Sequence, residues 1–207
     1  LGSYFLTFSF FLYKLLKKLR IQKVDGILAD FGTSQMQIHE RPGFSFMQDT
    51  ELDMLMSPAH QRVTAKELIN HASIGLLISI FKKYGEERDA SRIARAIIQE
   101  RAKAPITTTA QLAALIEKTV PWAKAKPIHP ATKVFQALRI HINNELENIT
   151  AFLKAAVHFL SAQGRLVCIS FHSLEDRLVK RFFREQEGAG VLAILTKKAV
   201  EASQKER

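Results

Sequence analysis

The residues best suited to chemistry sit at the ends of two short apolar runs. In "ILADFGTS" an apolar segment delivers Asp30, then Gly32 and small hydroxyl residues. In "RLVCISFHSLEDR" a second apolar segment delivers Ser170, His172 and Ser173. A carboxylate at Asp30 can accept hydrogen bonds from an amine or a hydroxyl, and Gly32 lets backbone approach a ligand closely. The structural alternative is plain: Asp and Ser after a strand are common N-caps of the next helix. Ser170 and His172 are candidate catalytic groups on the same footing. Glu175 and Asp176, a turn later, suit the positive end of the helix that follows.

Asp30-Phe31-Gly32 spells the tripeptide with which kinases hold magnesium, but the kinase reading fails. A kinase needs a Gly-rich loop, a strand lysine and a catalytic loop with Asp and Asn upstream. Only 29 residues precede Asp30, none of them spells those parts, and no Ala-Pro-Glu follows. Nucleophilic chemistry has little support either. The one cysteine, Cys168, lies within an apolar run of strand type, where cysteine usually acts as a small buried hydrophobe. No His or Cys cluster has metal-ligand spacing, so no bound metal is expected.

These groups need a scaffold, and periodicity outlines it. Leu12, Leu15, Leu16 and Leu19 recur at helical spacing, opposite Lys14, Lys17, Lys18 and Arg20. "KVDGILADFG" reads as a buried strand, and residues 35–62 as loop-rich, with turns at Pro42-Gly43 and Ser57-Pro58. Four helical segments follow between Thr64 and Leu115, the first opened by a Thr64/Glu67 capping box. A long helix from Pro130 to a stop at Gly164 leads into a second buried strand, "GRLVCISF". A further helix follows, and after Gly188-Ala189-Gly190 the run "VLAILTKKA" suits a further strand. Strand, helix, strand, helix is the alternation of an α/β fold with parallel strands. The middle helices interrupt it as an all-helical insertion. The expected division is core over 1–46, insertion over 47–127 and core over 128–207.

Composition bounds the partners. Thirty Lys and Arg against 20 Asp and Glu leave a net charge of +10, which favours polyanions, nucleic acid ahead of anionic membrane. A single cysteine permits no internal disulfide and fits a reducing cytoplasm. The apolar opening reaches only Tyr13 before Lys14, short of the roughly 20 residues that a membrane span needs. A membrane-surface role would rest on residues 4–20 alone. Arg88, Arg92 and Arg95 share one helical face, and Arg177, Arg181 and Arg184 repeat the spacing, so both sets are candidate RNA contacts or simply solvated faces. Phe44 and Phe46 could stack on a flipped base or plug the core.

Longer runs narrow the choice. "VDGILADFGTSQMQ", "RPGFSFMQDTELDMLM", "YGEERDASRIARAI", "HPATKVFQALRIHINNELE" and "GRLVCISFHSLEDRLVKRFF" occur in this order. Together they resemble the bacterial small-subunit (16S) ribosomal RNA cytosine-N4 methyltransferase family, called MraW or RsmH, from about Phe8 to Lys198. The resemblance implies a partial Rossmann-like methyltransferase sheet carrying an inserted helical domain. It implies transfer of a methyl group from S-adenosylmethionine to the exocyclic amine of a ribosomal cytosine, by direct in-line attack. It also implies that Phe8, Asp30, Gly32 and Gln37 contact the cofactor, that the partner is small-subunit ribosomal RNA or the assembled subunit, and that a homodimer can form. The family's Gly-rich loop, the acidic residue after its second strand and its C-terminal Arg- and Ser-rich strand have no counterpart, so the chain is expected to be truncated at both ends. The alternative function is a non-catalytic RNA-binding or dimerising remnant.

Overall fold

A computed structural model describes residues 9–32, 42–57, 63–120, 128–196 and 198–201 (backbone only for 9–11). The elements in chain order are α1 Ser9–Lys18, β1 Val24–Asp30, α2 Ala65–His71, α3 Ile74–Gly85, α4 Ala90–Arg101 and α5 Thr109–Thr119. They continue with α6 Ala131–Asn143, α7 Glu145–Phe159, β2 Leu160–Ile169 and α8 Ser173–Gly188. They fall into two compact units, residues 1–31 with 146–207, and residues 32–145.

In the first unit β1 and β2 pair in parallel, with Leu28 opposite Val167, Ala29 opposite Cys168 and Asp30 opposite Ile169. One sheet face carries the core. Ala29 and Phe31 pack with Ile149 and Leu153 of α7 and with Val179 and Phe182 of α8. Leu12 and Leu16 of α1 lie one helical turn apart and pack on Ala156 and Phe159. Both strands read in sequence as buried runs, yet the structure alternates. The residues facing away from the helices, Leu28, Val167 and Ile169, are exposed, Leu28 at 69%.

The long helix expected over residues 130–164 is interrupted at two places. Asn144 adopts a left-handed conformation (φ 50°), which Asn tolerates better than most residues, and separates α6 from α7. At the other end, Lys23 donates from Nζ to the carbonyls of His158 (2.7 Å) and Leu160 (3.3 Å). A cation on terminal carbonyls suits a helix C-terminus. The helix therefore stops at Phe159, before Gly164, and β2 begins at once. No strand forms over residues 191–196. Val191 N–H donates to Gln186 O (2.9 Å) and Ile194 N–H to Glu187 Oε1 (2.9 Å), so this segment bonds back to α8 instead of to a sheet.

The second unit is helical, and its starts follow local chemistry. Thr64 and Thr108 open α2 and α5 with capping boxes to Glu67 and Gln111, and the Ser73 hydroxyl caps α3. Leu77, Ile80, Ile93, Ile97, Leu112, Ile116 and Leu138 are fully buried between these helices. Gly85 is the last residue of α3 and is also constrained by proximity: a Cβ there would meet Lys133 O at 2.6 Å and Ala137 Cβ at 3.2 Å on α6. This unit spans residues 32–145 and includes α6, which packs on α3 at glycine distance.

The 42–57 stretch is a loop without regular structure, and it is tied down throughout. Asn143 is completely buried; its Nδ2 donates to Met54 O (2.8 Å) and its Oδ1 accepts from Met56 N–H (2.8 Å). Gly43 has φ +89°, and a Cβ there would lie 2.7 Å from the backbone nitrogens of Asp53 and Met54. Only glycine fits.

Candidate active site

The parallel ladder ends with the Phe31 N–H donating to Ile169 O at 3.1 Å, so both strands leave the sheet at the same edge. In open α/β sheets this carboxyl edge is where ligands bind. Register decides which side chains share a face. Ala29 and Cys168 point to the helices, whereas Asp30 points with Leu28, Val167 and Ile169 to the open face. Asp30 is exposed at the rim of that apolar surface. Gly32 follows with φ 85°, a left-handed turn suited to glycine.

From the neighbouring strand, Ser170 is half-buried and Phe171 returns to exposure at 67%. Phe171 was not singled out in sequence. The available signal was the two-residue alternation Val167, Ile169, Phe171 on one face. His172 is the N-cap of α8, its Nδ1 accepting from Glu175 N–H at 3.4 Å. Glu175 is completely buried, and its Oε2 accepts from Phe171 N–H at 2.8 Å while Oε1 lies 3.3 Å from His172 Nε2. A buried carboxylate requires such partners. This imidazole–carboxylate cap fixes the 170–173 loop beside Asp30. Asp176 instead pairs with Lys180 at 2.8 Å.

Burial pushes the Cys168 thiol up to about 12, so at neutral pH it stays protonated and unreactive on the covered face. Phe46 is a packing residue: its ring stacks on His129 (4.7 Å between centroids, 28°) and meets the Phe135 ring edge-on at 5.1 Å. Phe44 is half-buried. Arg88, Arg92 and Arg95 are exposed on the helical unit, Arg92 lying 3.7 Å from Asp89. Arg177 and Arg181 are exposed on α8, Arg181 lying 3.8 Å from Glu185. Phe8 and Gln37 lie outside the described residues. Among the described residues no helix is long and apolar enough to cross a membrane.

With this geometry in place, comparison is decisive: residues 4–207 match the MraW methylase family. The chain belongs to the MraW methylase family. It is 50% identical over 185 residues to the ribosomal RNA small subunit methyltransferase H of Cyanothece sp., covering 89% of this chain and 60% of that relative. It is 52% identical over 165 residues to the protein of the same name from Pseudoalteromonas atlantica, covering 79% and 52%. For the Acidobacterium capsulatum protein of that name the identity is 47% over 184 residues, covering 88% and 61%. The chain thus spans between about half and three fifths of the length of these curated relatives. The two-stranded parallel sheet and its helices are consistent with part of the Rossmann-like fold expected of an MraW methylase.

Proposed function

We propose that the chain serves S-adenosylmethionine-dependent methylation of the exocyclic N4 amine of a cytosine in small-subunit ribosomal RNA, by direct in-line transfer in the cytoplasm. One observation carries this reading: the Asp30–Ile169 register, which sets an exposed carboxylate and the 170–173 loop at one carboxyl edge. The donor set suits the cofactor chemically. A carboxylate can accept from hydroxyl or ammonium groups, and the apolar surface of Ile169 and Phe171 beside it can carry a planar purine. Bound there, S-adenosylmethionine would supply an electrophilic methyl group. Phe8 and Gln37 remain further candidate contacts by resemblance.

The work of the protein is then positional. A cytosine amine is a poor nucleophile because its lone pair is delocalised into the ring. Holding it at attack distance supplies up to roughly 7–11 kcal/mol of the barrier. Asp30, accepting a hydrogen bond from the amine N–H, would localise that lone pair as attack proceeds. Ser170 and the His172–Glu175 cap hold the opposing loop. No covalent enzyme intermediate is needed, which agrees with a Cys168 thiol pushed to about 12.

Two measurements test the reading. Titration calorimetry of the chain with S-adenosylmethionine should give saturable heat, and its absence at millimolar ligand would count against the cofactor assignment. In the chain joined to the remaining length of its relatives, Asp30→Asn should lower methyl transfer by about 10²–10⁴-fold with the melting temperature unchanged. Full activity in that variant would remove Asp30 from the mechanism. Sedimentation equilibrium of the same protein reports whether the homodimer implied by resemblance forms.

A further inference from the structure

We propose that the outer face of α1 is a phosphate-contacting RNA surface, a reading that rests on the RNA substrate proposed above. Leu12 and Leu16 fill the inner arc of this helix. At 100° per residue the opposite arc holds, in angular order, Tyr13, Lys17, Lys14 and Lys18, all exposed. Arg20 continues the exposed basic run beyond the helix end. Residues 12–24 hold no Asp or Glu, and Asp25 accepts from the Ser161 hydroxyl at 2.9 Å. Among the described residues no ion pair reaches Lys17, Lys18 or Arg20 within 4.0 Å.

A helix C-terminus favours cations, which suits Lys17 and Lys18 in the last turn. An aromatic ring accompanies the charge. Tyr13 rests against Phe159 at 5.6 Å between centroids, stays 43% exposed and carries Lys17 Nζ 5.1 Å from its ring centre. Lysines interleaved with an exposed ring match a single strand, whose phosphates take the charge while a base or ribose lies on the ring. Membrane adsorption fits less well, because an interfacial helix must bury its apolar face in lipid. Here that face is already buried against α7.

The test is fluorescence anisotropy of the 207-residue chain with a fluorescein-labelled oligouridylate over a potassium chloride series. The triple variant Lys14→Gln, Lys17→Gln, Lys18→Gln should flatten the slope of log K against log salt by about two, at about 0.7 per lost phosphate contact. Each single Lys→Gln change should flatten it by about 0.7, which keeps the test sound if the triple variant melts early. Tyr13→Ala should weaken binding by about fivefold or more at every salt concentration, the slope unchanged. An unchanged slope in the lysine variants overturns the proposal, as does the absence of RNA binding by the parent chain. Sedimentation with phosphatidylglycerol vesicles that the lysine variants lose, with the RNA slope intact, would reassign the face to lipid and overturn it too. Failure of S-adenosylmethionine to bind, with the RNA slope flattening as expected, would remove the methyl-transfer reading and leave this surface standing.

Discussion

Asn143 donates through Nδ2 to the carbonyl of Met54 at 2.8 Å, joining positions 89 apart in the chain, and its Oδ1 accepts from Met56 N–H. Met54 has φ 65°, so this backbone is held in a conformation that non-glycine residues seldom choose. Truncating Asn143 to alanine leaves buried donors and acceptors without their partner. The expected cost is at least about 2 kcal/mol in urea unfolding, with faster hydrogen exchange at the Met56 amide. Retained protection there would show that the loop is held by other means.

His172 caps α8, so its replacement should first be felt as lost helix stability. His172→Ala should cost about 1 kcal/mol, and His172→Asn, an alternative cap, should restore most of it. Methyl transfer separates two roles. Recovery of transfer in the asparagine variant marks His172 as a positioning residue, whereas its loss alongside a restored melting temperature marks the imidazole as catalytic.

Two glycines of α3 should respond in opposite directions to the same change. A Cβ at Gly85 would press on Lys133 O at 2.6 Å, while nothing lies within 4 Å of one at Gly75. Gly85→Ala should cost about 1–3 kcal/mol by overpacking. Gly75→Ala should gain about 0.5–1 kcal/mol, since an exposed helical glycine forfeits that much relative to alanine. Paired thermal melts decide it.

Cys168 links stability to alkaline pH. Its native thiol is held up to about 12, against 9.0 unperturbed, so above pH 9 the unfolded chain loses a proton that the native chain retains. The unfolded state is thereby favoured, and stability falls as pH rises through that window, by up to about 1.4 kcal/mol per pH unit. Cys168→Ala should flatten this part of the pH profile. Below pH 9 the two proteins should show parallel profiles. Iodoacetamide should modify the native protein only slowly at pH 8.

What the sequence disclosed was local chemistry, and what it hid depended on distance. The Thr64–Glu67 box, the apolar spacing of α1 and the carboxyl-edge placement of Asp30 need only neighbours a few residues away. Asn144 breaks a continuous helical pattern at the end of a helix whose neighbouring Asn143 is committed to a loop far upstream. Lys23 ends α7 from across the unit. Gly85 does end its helix, but the carbonyl it must also clear lies on another helix and left no local trace. The apolar runs of β1 and β2 have one side packed on helices within these 207 residues, and an apolar run does not tell which of its sides that will be. Phe46 bears this out from the other direction. A pair of rings from α6 and the residues just before it decides that it packs.

The helical unit occupies one uninterrupted stretch, residues 32–145, whereas the unit that holds the sheet is assembled from two separated pieces. Such an arrangement is asymmetric for anyone cutting the gene. The inner stretch can be lifted out as a single cassette whose buried leucines and isoleucines all travel with it. The outer pieces can be rejoined only by building a new bridge between Phe31 and Leu146, so exchange of the inner cassette between relatives is the simpler graft.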